Sequence, residues 1–259
     1  MNRLQLWSDI PGQLFKASTE SDATGQAEVE KGKGDTVLVE RLNSLNDLIR
    51  LFTRLCQKDD VWDSVNFHTH GSGGSIALGS NSLDLDSYFR LENQDFERMF
   101  AKGCIITFDG CNVAEGCAGE FFLIEIAITL LATIGGKVRG NTGAGFGTFF
   151  GGESFHPLGG WVTAIIEPGC TIRLENGTHL HTGNIQARIS ALHSKIADCD
   201  RRHLFRPGEK GELEQAEQVA TLWAAQGSFR ARFKACIWLD DAEDKIGNIQ
   251  TRFMPPHPM

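Results

Sequence analysis

The sequence is poor in the features that would assign it to several broad classes. Its most apolar run, Phe121 to Ile134, is about 14 residues against the roughly 20 that a bilayer-spanning helix needs, and Glu125 sits inside it. No membrane segment is expected. Basic residues are not in surplus: Lys+Arg is 25, Asp+Glu is 33 and the net charge is -8, which excludes a large cationic footprint for nucleic acid. Met1 to Phe15 shows no apolar core followed by a small-residue cleavage site, so no secretory signal is read there. The seven cysteines, Cys56, Cys104, Cys111, Cys117, Cys170, Cys199 and Cys236, are odd in number and scattered. That spacing reads as thiols in a reducing, cytoplasmic compartment and not as a disulfide framework. Neither C-x-x-C nor H-E-x-x-H is present to close a zinc site around His68, His70, Cys104 and Cys111, so no metal is expected. Gly143-Ala-Gly-Phe-Gly147 lacks both the G-x-G-x-x-G spacing and the Lys-Ser/Thr of a phosphate loop. It reads as part of a glycine-rich flap, Gly143 to Gly160, and no cofactor is expected.

What is present is an ordinary globular composition, with 259 residues, 41% hydrophobic and 22% charged. That length allows one large or two modest domains. Thr36–Glu40 is a β-branched strand, and Ser44-Leu-Asn-Asp47 resembles a helix cap before apolar residues at three- and four-residue steps, which predicts a helix from Ser44 to Lys58. Ser64–Thr69, Cys104–Asp109 and Lys137–Asn141 read as further strands, with a helix end at Phe96–Ala101 and a buried helix through Phe121–Ile134. Strands alternating with helices predict an α/β fold with a mostly parallel sheet between helical layers. Trp161–Ile166 and Thr171–Leu174, joined through Pro168-Gly169, read as a hairpin.

The expected domains are residues 1–180 and 181–259. In the second, apolar steps through Ile185–Cys199 and Leu213–Trp223 predict a helical hairpin around Arg201-Arg202, a candidate self-cleavage point. Phe229 to Leu239 alternates with a period of two, which favours a terminal strand with Arg230, Arg232 and Lys234 along one solvated face.

Two glycine turns then fall at carboxyl ends of strands, the edge where open α/β sheets place their sites. One carries His70-Gly71 and the other Gly110-Cys111. A thiolate is the nucleophilic form of cysteine, and an imidazole beside it can take its proton. Glycine lets a substrate approach the backbone, and the N–H groups of Gly71 and Cys111 are the candidate donors to an oxyanion. His68 lies one strand repeat beneath His70, as a packing residue or as a support behind His70.

Phe67-His-Thr-His-Gly-Ser-Gly-Gly-Ser-Ile-Ala-Leu-Gly79 and Phe108-Asp-Gly-Cys-Asn-Val-Ala-Glu-Gly116 together resemble the caspase-like (clan CD) cysteine peptidases. The likeness is closest to the CHAT-type bacterial branch and to a related bacterial domain with an SHG-x-x-G-x-x-x-LG … GCN-x-A-x-G pattern. It covers about Thr36 to Leu174. The resemblance implies a caspase-like three-layer sandwich in which His70 is the general base and Cys111 the nucleophile of a dyad. It implies a protein substrate, an inhibitory or regulatory protein partner and a role as toxin, effector or defence protease, in the cytoplasm or as a secreted effector. Metacaspases carry an acidic residue two positions before their cysteine, so Asp109 is expected to bind a substrate's Lys or Arg. The rival expectation is an interaction module in which the dyad is idle.

Overall fold

The computed structural model describes residues 1–9, 16–58, 60–92, 94–143, 159–169 and 171–253. The described chain forms two compact units, Met1–Gly177 and Thr178–Met259. The first is a mixed α/β unit. In chain order it comprises β1 (Asn2–Trp7), α1 (Lys16–Gly32), β2 (Thr36–Arg41), α2 (Leu45–Gln57), β3 (Trp62–His68), the short strands β4 (Gly71–Ser72), β5 (Ser75–Leu78) and β6 (Asn81–Asp84), β7 (Phe100–Phe108), α3 (Gly116–Leu131), β8 (Gly136–Asn141), β9 (Trp161–Glu167) and β10 (Thr171–Glu175). The main sheet has the order β10-β9-β8-β7-β3-β1-β2. From β8 to β2 every neighbouring pair is parallel, and β9 and β10 add an antiparallel hairpin at one edge.

Ser44 caps α2 by accepting from the Asp47 N–H at 3.2 Å, and the helix buries Leu45, Leu48, Leu51, Phe52 and Leu55. The helix expected to end at Phe96–Ala101 is instead a 3-10 turn at Phe96–Met99, and β7 starts directly at Phe100. The connection from β3 to β7 is therefore the small antiparallel sheet β4-β5-β6 followed by 3-10 turns. Periodicity could not show this, because strands of two to four residues are too short to establish a period.

The strands are two-faced. Leu4, Leu6, Val65, Phe67, Ile106, Phe108 and Val138 are buried on one side, where Phe108 meets Phe67 at 5.0 Å and Phe122 of α3 at 5.3 Å between ring centroids. The alternate positions carry Gln5, Asn66, His68 and Thr107, which are also buried. Gln5 is tied to Glu30 of α1, so that helix covers the polar face. Parallel sheets are usually apolar on both sides. This one encloses a polar layer.

The described elements of the second unit are all helices, α4 (Thr182–Arg201), α5 (Glu209–Ala224) and α6 (Phe229–Thr251), joined by short turns. The expected terminal strand is thus corrected to a helix. Ser228 caps α6 by accepting from the Ala231 N–H at 3.2 Å, and its buried residues Ala231, Ala235, Cys236, Leu239, Ala242, Ile246 and Ile249 follow helical steps. The alternation of Phe229 to Leu239 stops after Leu239, whereas the helical spacing continues for another ten residues. Arg232 stacks on Phe229 and Lys234 on Trp223, so the basic residues do not form one strand face. Arg201 closes α4 and Arg202 is its cap residue.

Cys117 and Cys236 each stand in a disulfide and not as a free thiol, which corrects the reading of the cysteines as thiols alone. An odd, scattered set gives no spacing from which bonded cysteines can be picked out. Among the described residues no helix is long and apolar enough to cross a membrane.

Candidate active site

The site is built by two neighbouring parallel strands. β3 and β7 pair in register from Ser64 with Ile105 to Phe67 with Phe108, and the Asp109 N–H extends the ladder by donating to the Phe67 carbonyl at 2.8 Å. Both chains then turn at the same edge, one through Thr69-His70-Gly71 and the other through Gly110-Cys111-Asn112.

The two turns are packed backbone to backbone. A β-carbon on Gly71 would lie 2.4 Å from Val113 Cγ2 and 2.9 Å from the Cys111 carbonyl oxygen. One on Gly110 would lie 3.0 Å from the Thr69 carbonyl oxygen and 3.2 Å from the Gly71 nitrogen. A side chain at Gly71 would force the turns apart, and one at Gly110 would fit only if its neighbours gave by a few tenths of an ångström, so each turn fills the side-chain space of the other. His70 and Cys111 are both half-buried.

The cysteine turn is held from both sides. The Asn112 N–H donates to Gly143 at 2.9 Å, the Ala114 N–H to Asn141 at 3.0 Å, and the Gly74 N–H reaches back to Val113 at 3.0 Å. Asn112 has φ 58, in the left-handed region that asparagine tolerates better than most residues. Helix α3 begins five residues after Cys111, at Gly116. The structure therefore brings the expected dyad residues and both expected oxyanion donors, Gly71 and Cys111, onto adjoining turns.

The side chain of Asp109, the expected binder of a substrate's basic residue, is 6% exposed, and its Oδ2 lies 3.3 Å from His68 Nδ1. A cavity of about 10 Å³ lies between Asn66, His68, Thr107, Asp109, Arg139 and Trp161, with room for one water and none for an amino-acid side chain. His68 is more than a packing residue, since its Nε2 meets Gln5 Oε1 at 2.8 Å. The signal for these partners was in the sequence as polar residues at alternate strand positions: Arg3 and Gln5, Asn66 and His68, Thr107 and Asp109.

Cys104 lies in the middle of β7, seven residues before Cys111, and does not join the site. Burial pushes its thiol up to about 12, with the Asp63 charge adding to the effect. Among the described residues no group of three or more His, Cys, Asp or Glu is placed to hold a metal ion. Residues 144–158, most of the expected glycine-rich flap, lie outside the described residues.

Residues 18–145 match the family model described as "Domain of unknown function (DUF4347)". The matched segment contains both the His70 and the Cys111 turns. A search of curated proteins finds no match.

Proposed function

We propose that the Met1–Gly177 unit is a caspase-like cysteine endopeptidase with a His70–Cys111 dyad. The observation that carries this reading is the interlocking of the two glycine turns at the ends of adjacent parallel strands, which sets an imidazole and a thiol at one sheet edge. In the proposed reaction His70 takes the Cys111 proton and Sγ attacks the peptide carbonyl carbon. The N–H groups of Gly71 and Cys111 stabilise the resulting oxyanion. The amine leaves with the proton from His70, and water then hydrolyses the thioester to release the acid and restore the thiol. The substrate is a protein, and an inhibitory protein partner restrains the enzyme in a toxin, effector or defence role. The disulfide-bonded Cys117 and Cys236 favour the secreted form of that role over the cytoplasmic one.

Purified protein incubated with fluorogenic peptides ending in Arg, Asp or Leu tests the proposal. Hydrolysis of at least one series, abolished by Cys111→Ala and by His70→Ala, is expected. Hydrolysis that survives Cys111→Ala overturns it. No turnover, together with equal thiol-probe labelling of wild type and Cys111→Ala, leaves an interaction module. Preference for Lys or Arg at the cleavage point, the duty expected of Asp109, is decided by the same peptides.

A further inference from the structure

Beneath the two turns, a buried hydrogen-bonded chain crosses the polar face of the sheet. Glu30 of α1 pairs with Arg3 at 3.4 Å and accepts from the Gln26 amide at 3.2 Å. Gln5 Nε2 donates to Glu30 Oε2 at 2.6 Å. A carboxylate can only accept, so the amide orientation of Gln5 is fixed and its Oε1 must face His68. That oxygen also only accepts, so the proton of the His68 ring is on Nε2, 2.8 Å away.

The other ring nitrogen is then a lone pair whenever the ring is neutral. Nδ1 is buried without a hydrogen-bond partner and lies 3.3 Å from Asp109 Oδ2, where the two side chains are 2% and 6% exposed. A bare nitrogen beside a carboxylate oxygen, with room for at most one water in the cavity alongside, brings two lone pairs together, and one proton between them converts the repulsion into a charge-assisted contact. Also on this face are Asn66 of β3, Thr107 of β7 and Arg139 of β8, whose Nε donates to Thr107 Oγ1 at 3.0 Å while its guanidinium stacks on Trp161.

We propose that His68 and Asp109 hold one proton between them and act as a positioning pair for the turns that carry His70 and Cys111. His68 lies two residues before His70, and Asp109 two before Cys111. A bond between them fixes the two strands at the last level before the site, and the Gln5–Glu30 chain fixes the ring. The consequence for the dyad rests on the peptidase reading; the shared proton does not.

The proton is tested by nitrogen NMR of the full chain carrying Cys111→Ala, labelled in histidine, which needs no turnover. The expected result is a His68 ring protonated at Nε2, with Nδ1 either bearing a proton or accepting one. A bare Nδ1, or a ring protonated at Nδ1 alone, overturns the proposal. The positioning role is tested by the rate of Cys111 alkylation against pH. Asp109→Asn, whose amide can donate to Nδ1, keeps most of the rate but removes the pair's protonation step from the profile. Asp109→Leu cannot donate and slows alkylation by roughly tenfold to a hundredfold. Superimposable profiles for wild type and Asp109→Asn, or an unchanged rate in Asp109→Leu, overturn the role. Loss of cleavage after Arg alone in Asp109→Asn also overturns it, by returning Asp109 to the substrate. If no peptide is cut while the NMR and alkylation results hold, the peptidase reading fails and the positioning pair stands.

Discussion

His70 and Cys111 are 111 − 70 = 41 positions apart, the same offset that pairs Phe67 with Phe108 in the last rung of the β3–β7 ladder. The ladder delivers both residues to the same edge, each three positions beyond the last rung. A cysteine without such a base is only a few per cent thiolate near neutral pH. Iodoacetamide is therefore expected to label Cys111 faster than any other thiol in the native protein, and His70→Ala to slow that labelling by about tenfold or more. Intact-protein and peptide mass spectrometry read both results. Equal rates in the two proteins would remove the imidazole from the chemistry.

Gly71→Ala tests the interlock. The new methyl would lie 2.4 Å from Val113 Cγ2 and 2.9 Å from the Cys111 carbonyl, so the turns must separate. Overpacking of this kind costs about 1–3 kcal/mol. The variant is expected to melt earlier and to label more slowly at Cys111. Adding Val113→Ala removes the side-chain half of the clash but not the carbonyl half, so partial recovery of the melting temperature is expected. Full tolerance of Gly71→Ala by thermal melting and labelling would show that the turns are not packed as described.

The sequence made the interlock legible through its glycines, and made α2 legible through Ser44 and a clean apolar stripe. The hidden parts have physical causes. β1 is not legible in the sequence because Arg3 and Gln5 break its apolar run, yet those residues belong to a polar layer that the fold buries under α1. The approach of Asp109 to His68 depends on the register of β7 against β3, which spacing within one segment does not carry. In α6, Phe229 to Leu239 satisfied a strand pattern over eleven residues by chance of composition. The competing helical pattern is only visible once Ala242, Ile246 and Ile249 are included.

Cys104 gives a pH prediction. Its thiol is raised from 9.0 to about 12, first by burial and then by the charge of Asp63. The unfolded chain therefore loses this proton before the folded chain does. Between about 9 and about 12 the folded state holds one proton more, so stability falls as pH rises across that window and is unaffected below it. The full effect is of order 4 kcal/mol. Denaturant unfolding of wild type and Cys104→Ala at several alkaline pH values isolates it. The variant is expected to show a shallower decline, and parallel declines would place the Cys104 thiol in contact with water.

α6 provides the test of the second unit. The Ser228 hydroxyl satisfies the Ala231 N–H, which the helix itself leaves without a partner. Ser228→Ala is expected to lower stability by about 1 kcal/mol. Ala235→Pro removes an interior N–H and sets a ring against the preceding turn, at a cost of about 3 kcal/mol or more. If residues 229–239 formed an exposed edge strand, both substitutions would be nearly silent, because neither the cap nor an interior helical N–H would exist. Far-ultraviolet circular dichroism and thermal melting of the full chain separate the cases. Lost helical signal in Ala235→Pro, with the smaller loss of stability in Ser228→Ala, is expected, because a proline at 235 interrupts the buried run from Ala231 to Leu239 that holds α6 in its unit.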